Sequence, residues 1–378
     1  MNRASKFRIT FAVTILLIAA VIVLAREHRP SFLRPGLRLY AYVSTVDNAV
    51  SVVDLVKLAT VAHVPVGGTV SAMREHPTRA EVWGVSANGG FAWVLDARTS
   101  QIVARIPVGG LPYSIDFSPD GARVYIPSSA GNTLSVIECA TRQIVGQTPT
   151  GAQPVAARVS SDGKLVLVLN KKDATVSVFE AATLQLRALI PVIPDPEDAA
   201  ILPDDSVAFI LSRSQKLLSV VDLHKGQLLA NLELAGVPSQ MILKPDGGEL
   251  YVISPEAHGL QAINTWTHEV GDYLELGSAP TRGVLLPDTG QIYVSDAAAN
   301  SVTGVDMNYR RLIRPAISAG QTPGALRFDP GDKARLLLVV SQASGDLSVI
   351  RVTSDRAGGL LTMIPVGDEP RELAVKLF

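Results

Sequence analysis

The chain has a single cysteine, Cys139, among its 378 residues. That excludes an internal disulfide framework, a cysteine-rich metal site and a CxxCH haem attachment. It has no surplus of either charge: 34 lysines and arginines stand against 35 aspartates and glutamates, a formal net charge of −1. A nucleic-acid binder needs a basic surplus over its domain, so no nucleic-acid partner is expected. Catalytic patterns are missing as well: there is no GxSxG, no glycine-rich phosphate loop and no HExxH. The six histidines, His28, His63, His76, His224, His258 and His268, are scattered and suggest no metal site. Helical periodicity is absent beyond residue 37, where 30 glycines and 24 prolines in the chain would interrupt helices in any case. What is plentiful is apolar material, 47% of residues against 18% charged, enough for a large core and contrary to disorder.

The first residues differ from the rest. Arg3, Lys6 and Arg8 precede an apolar run over 9–25, the pattern of a signal peptide or a signal anchor. Seventeen residues is the short edge for crossing a bilayer core of roughly 30 Å. No cysteine lies near the end of the run, which excludes a lipoprotein anchor, and Arg26, Glu27, His28 and Arg29 follow at once. Anchor and cleaved signal both stay open; either places the remainder outside the cytoplasm, in the periplasm or at the cell surface. Residues 26–37 read as a linker and 38–378 as one domain.

That domain is a repeat. Pro112, Pro154, Pro196, Pro238 and Pro280 fall at 42-residue intervals, loosely continued by Pro323 and Pro370. Pro77, Pro119, Pro203, Pro245 and Pro287 form a second phase, and Asp54, Asp96, Glu138, Glu180, Asp222, Asn264 and Asp306 a third. Each unit holds four short strand signals joined by hairpin-length turns; in one unit they cover 113–117, 122–127, 133–137 and 143–148. Four-stranded units stacked in series predict an all-β fold, a β-propeller. The second-strand signal occurs at Tyr42, Trp83, Tyr125, Leu167, Phe209, Tyr251, Tyr293 and Leu338, which predicts eight blades, with seven as the alternative. The first unit lacks an inner strand and residues 370–378 supply one, so the C-terminal strand is expected to complete the N-terminal blade.

Several segments carry a family resemblance. Tyr42-Val43-Ser44-Thr45, Tyr251-Val252-Ile253-Ser254 and Tyr293-Val294-Ser295-Asp296 resemble the Tyr-Val-Thr-Asn signature of YVTN-type propellers. Segments 48–54 and 174–180 resemble the family's following strand, and Val108-Gly109-Gly110-Leu111-Pro112 its VGxxP opening. The likeness covers 38–378 and implies an exported or surface-located propeller, akin to lactonase-like and d1-haem-binding propellers.

The repeated glycines, prolines and carboxylates have structural explanations. Proline suits an edge strand whose N–H is unpaired; an Asp ending a strand accepts hydrogen bonds from the next turn. Other residues break the pattern. At the fourth place after each inner-strand opening stand Arg74, Asp116, Arg158, Ala200, Ile242, Val284, Arg327 and Ala374; two residues earlier come Ser114, Asp198, Gln240, Arg282 and Glu372. Strand alternation puts these on one side, and a polar side near the axis implies a wet channel. The arginines would either tie adjacent blades to carboxylates or hold an anion, for which guanidinium forks are suited. His258, in loop 255–259, is expected on the VGxxP face. The leading expectation is a non-enzymatic, monomeric binding platform at the cell envelope. It would take an unknown protein or small anionic ligand, need no cofactor or metal, and meet the membrane through 9–25 if that run is uncleaved. The resemblance implies two alternatives. One is a d1-haem or other tetrapyrrole propeller, with arginines on the carboxylates and His258 the axial candidate. The other is a lactonase-like hydrolase, whose acid–base pair or metal is not legible. Trp83, Trp93 and Trp266 are expected between blades and Cys139 as an inert thiol.

Overall fold

A computed structural model describes residues 37–330, 335–352 and 358–378. The apolar run 9–25 and all but the last residue of the linker lie outside the described residues. Residues 38–378 form eight four-stranded antiparallel sheets, the blades of a propeller, and no helix is found among the described residues. Blades 2 to 8 are continuous in sequence: 70–107, 116–149, 154–191, 196–233, 240–275, 280–318 and 323–365. Blade 1 is built from both ends of the domain, strands Leu39–Thr45, Ala49–Asp54 and Ala59–Pro65 taking Leu373–Leu377 as their inner strand. Leu39 pairs with Leu377 and Val43 with Leu373. Ser44 strengthens the closure, exchanging backbone bonds of 3.1 Å with Arg371 and Glu372 and accepting the Glu372 N–H on its hydroxyl at 2.9 Å.

Burial follows distance from the axis. Second strands such as Leu165–Asn170 are buried at every position, because each face meets a neighbouring blade. They therefore read as unbroken apolar runs rather than alternating ones. The outermost strands, such as Gln101–Pro107, alternate exposed and covered residues. Tyr42, Trp83, Trp93, Tyr125, Tyr251 and Tyr293 are fully buried. Each fully buried large side chain contributes roughly 1.5–3 kcal/mol. Trp266 departs from expectation: it is 63% exposed, on a turn rather than between blades.

The turns match their sequence. The Asp54 carboxylate accepts the Val56 and Lys57 N–H groups at 2.9 Å, and Asp96, Asp222, Asn264 and Asp306 repeat the arrangement. In the connections between blades, Gly109 and Gly367 hold φ of 98° and 115°, conformations that a side chain would strain. Elsewhere the left-handed residue is the one before the opening proline, as at Gln153, Asp195 and Thr322.

Candidate functional site

The inner strands converge on a cavity of about 770 Å³ at the end where those strands begin. Connections between blades and second-to-third-strand loops share this mouth, so Arg213, Ala297 and Gln342 join the inner-strand residues on its wall. Six arginines line it, against three carboxylates, Glu197, Asp198 and Glu372. The wall is cationic although the whole chain is nearly neutral. Tyr113 adds an exposed aromatic ring, while Met73, Ile115 and Leu326 pack away from it into the core between blades.

Across blades 2 to 5 the charges are used up. Arg74 of blade 2 meets Asp116 of blade 3 at 3.1 Å, and Asp116 also accepts the Val159 N–H of blade 4 at 3.0 Å. Arg158 of blade 4 meets Asp198 of blade 5 at 2.5 Å, while its other Nη donates to the Ala157 carbonyl at 2.8 Å. Burial works against both charges of that pair, yet attraction wins: Arg158 titrates above its ordinary range and Asp198 below its own. Glu197 takes Lys171 at 2.5 Å and Arg213 at 3.0 Å.

The sector of blades 7, 8 and 1 is different. No hydrogen bond or ion pair among the described residues engages the Arg282 guanidinium, and Arg327 donates only to the Leu326 carbonyl at 3.0 Å. Among the described residues no ion pair engages the Glu372 carboxylate, although Arg282, Arg327, Arg74 and Arg213 all act on it at a distance. Burial, then repulsion from Arg213 and Arg327, pulls Arg282 below its usual range despite Glu372 and Asp198. Burial pushes Glu372 above the usual carboxylate range, against the pull of Arg282, Arg327, Arg74 and Arg213. The Arg282 and Glu372 charges are thus less stable than they would be in water, and an anion beside Arg282 would relieve the first of the two.

Of the residues singled out in the sequence, Arg74, Arg158, Asp198, Arg282, Arg327 and Glu372 line the cavity. Asp116 stands behind Arg74 rather than on the wall, because its carboxylate turns to the neighbouring blades. His258 is also off the wall: its Nδ1 lies 2.7 Å from the Ser278 carbonyl, which braces a backbone of φ 62°. Cys139 is fully buried, and desolvation pushes its thiol up to about 12, so it is inert. Glu197, Arg371 and Tyr113 were overlooked. All three directly follow an opening proline, so reading that column of the repeat beside the other two would have found them. Arg213 belongs to a loop outside those columns.

One arrangement resembles a catalytic triad. His63 Nδ1 lies 2.9 Å from Ser51 Oγ and its Nε2 lies 2.7 Å from Asp47 Oδ2. Ser51 is 1% exposed, and its hydroxyl donates to the Val366 carbonyl at 2.5 Å. A nucleophile needs an open face and a proton directed to its base. The same cross-strand place holds Ser135 with Gln147 and Ser219 with Asn231, so His63 occupies a structural position of the repeat. No group of three or more potential metal ligands occurs among the described residues.

The comparisons with known proteins agree on the fold. The Cytochrome D1 heme domain family model matches residues 81–229. Dihydro-heme d1 dehydrogenase NirN in complex with DHE is similar in structure, with a TM-score of 0.70 and 18% identity over 91% of this chain and 76% of that one. The hydrazine synthase of Kuenenia stuttgartiensis aligns with a TM-score of 0.60 and 19% identity over 76% of this chain and 96% of that one. A functionally unknown protein from Desulfotomaculum acetoxidans follows with a TM-score of 0.56 and 13% identity over 73% of this chain and 94% of that one. No curated protein matches the sequence. The chain is a β-propeller, and its residues 81–229 are similar in sequence to the Cytochrome D1 heme domain.

Proposed function

We propose that the protein binds a tetrapyrrole of the d1-haem class, or a closely similar polycarboxylated macrocycle, in the channel mouth. The observation that carries this reading is the Arg282–Arg327 sector, two guanidinium groups without carboxylate partners in a cationic cavity. A macrocycle of this class is flat and largely apolar with carboxylates at its edge. The cavity volume falls within the usual range for small-molecule sites, roughly 300–1,000 Å³. Arg282 and Arg327 would take its carboxylates, and the exposed Tyr113 ring would face its body. The fit is to the carboxylates and the ring: among the described residues no histidine lines the cavity, so no axial imidazole is assigned. Redox chemistry, where it occurs, is supplied by the macrocycle's own iron; the protein's part is to hold and orient the macrocycle. The haem-domain match over 81–229 and the fold shared with the NirN complex support the same reading.

The apolar run 9–25 supports a place outside the cytoplasm, at the membrane or released from it, and the fold suits a monomer. The test is an ultraviolet–visible titration with haem and with a metal-free porphyrin bearing several carboxylates. A saturable Soret shift is expected for both, weakened by Arg282→Ala with Arg327→Ala. Binding that ignores the double substitution, or no binding, would overturn the assignment.

A further inference from the structure

The propeller has two ends, and the one opposite the mouth carries an unusual pair of side chains. Trp266 and Tyr309 are 63% and 71% exposed, on turns after the third strands of the adjacent blades 6 and 7. Those turns lie at the far end, because the third strands finish opposite the starts of the second strands, Asn264 beside Glu249 and Asp306 beside Gln291. Neither tip is a loose loop. Asn264 accepts the Trp266 and Thr267 N–H groups at 2.9 and 3.0 Å, and Asp306 accepts the Asn308 N–H at 3.1 Å. Arg311 stacks over the Tyr309 ring at 4.9 Å, with its guanidinium side mostly in solvent. The equivalent turns of blades 1 to 5 carry Lys57, Thr99, Thr141, Thr183 and Lys225 at the place of Tyr309, and no tryptophan, tyrosine or phenylalanine. Nothing in the repeat requires two exposed rings in this place.

The chain also enters the domain at this end. Leu39 pairs with Leu377, the last residue of the closing inner strand, whereas that strand's start lies by the mouth. The twelve residues 26–37 separate the apolar run from that point, a reach of at most about 40 Å. With residues 9–25 retained, a linker of that length allows the end from which it emerges to reach the bilayer. Tryptophan and tyrosine, each with an apolar ring and a polar tip, favour the head-group layer, and an arginine beside them suits anionic lipid.

We propose that the end bearing Trp266 and Tyr309 rests on the bilayer surface, with both rings in the interface and the arginine-lined mouth turned away from the membrane. The inference is independent of what the channel holds and rests on residues 9–25 being retained. The protein contains its own reporter, since Trp83 and Trp93 are wholly buried and Trp266 alone is open. The full chain is reconstituted into vesicles of phosphatidylcholine and phosphatidylglycerol, with part of the lipid brominated near the head-group end of its chains. The brominated lipid is expected to quench the Trp266 share of the emission, and Trp266→Phe is expected to abolish the quenching while the remaining emission stays unchanged. Emission indifferent to brominated lipid but quenched by aqueous acrylamide would place Trp266 in water and overturn the proposal. So would a full-length chain that does not float with the vesicles.

Discussion

Two arcs of the same channel wall solve the problem of arginine near the axis in opposite ways. From blade 2 to blade 5, Arg74, Arg158 and Arg213 each meet a carboxylate, and two of those contacts cross from one blade to the next. From blade 7 to blade 1, Arg282, Arg327 and Glu372 share a neighbourhood without direct contact. The first arc behaves as structure: removing either partner strands the other. The second leaves Arg282 and Arg327 without a carboxylate partner among the described residues. A repeat fold can thus pair the charge at one strand position in some blades and leave it unpaired in others.

The largest effect is expected where both arcs lose their support. Deleting residues 370–378 removes the inner strand of blade 1, burying no longer Leu373, Ala374 and Val375 and losing Phe378, which stacks on Tyr40 at 5.7 Å. At roughly 1.5–3 kcal/mol per large apolar side chain, together with five lost strand pairings, the loss approaches a domain's whole stability. The truncated protein should aggregate or unfold without cooperativity in a thermal melt; an unchanged melt would contradict ring closure.

Next comes Asp198→Ala, in the paired arc. Both side chains of the Arg158–Asp198 pair are about one-fifth to one-quarter exposed. Stranding a largely buried arginine costs about 3 kcal/mol, less what the channel water returns. Chemical denaturation should show a loss of about 2–3 kcal/mol, while binding of a carboxylated porphyrin should persist. A stable variant that no longer binds would exchange the roles of the two arcs.

Arg282→Ala with Arg327→Ala should invert that outcome. Neither guanidinium ties a carboxylate, so stability should change by less than about 1 kcal/mol. Charge-assisted hydrogen bonds of about 1.5–3 kcal/mol each would be lost to the ligand, at least a tenfold weaker Kd in the titration. A sharply lowered melting temperature with unchanged binding would make these residues structural.

The smallest and sharpest change is Glu372→Gln. Because burial raises the Glu372 pKa, the folded state binds more protons than the unfolded one above the ordinary carboxylate range. Its contribution to stability is therefore lost as pH rises from about 4.5. Glutamine removes that cost and the one carboxylate that the described residues of this sector place on the wall. The variant should be at least as stable as the parent at pH 7 and should bind a carboxylated porphyrin a few-fold more tightly. The gain should shrink as pH falls and the parent's Glu372 takes up a proton. A weaker complex would mean that Glu372 contacts the ligand as an acceptor.

The fold was legible because its causes are local and repeated. Proline at seven strand openings, a polar turn residue at seven strand ends and eight doubly buried apolar strands recur at about 42 residues, so the repeats correct for any single ambiguous one. The half blade at each end made closure legible as well, since an unpaired inner strand and a missing one can only be satisfied together. The channel-facing columns were legible by alternation: Arg158, Asp198, Arg282, Arg327 and Glu372 follow from the pleat alone. Local rules could not say which of these charges would meet. Arg158 reaches Asp198 forty residues away, and Arg282 reaches no carboxylate although Glu372 lies near enough to be felt.

That distinction depends on how adjacent blades are turned and spaced around the axis, a property of the closed ring that no single repeat carries. The same holds for His258, whose place in a mouth-side loop was readable but whose ring is spent on the Ser278 carbonyl. It holds also for Trp266, an aromatic residue that composition assigns to a core and that its turn delivers to the surface. By itself the sequence determined the strands, their number and their order, and the facing side of most inner-strand residues, because those follow from backbone periodicity and turn chemistry. A register shift at the strand start brings Glu197 to the wall as well, and Tyr113 and Arg371 reach it from the same place in their repeats. Only the tertiary structure decided which charges are satisfied and which remain available, because Coulombic pairing varies with distances of a few ångströms between blades that are distant in sequence.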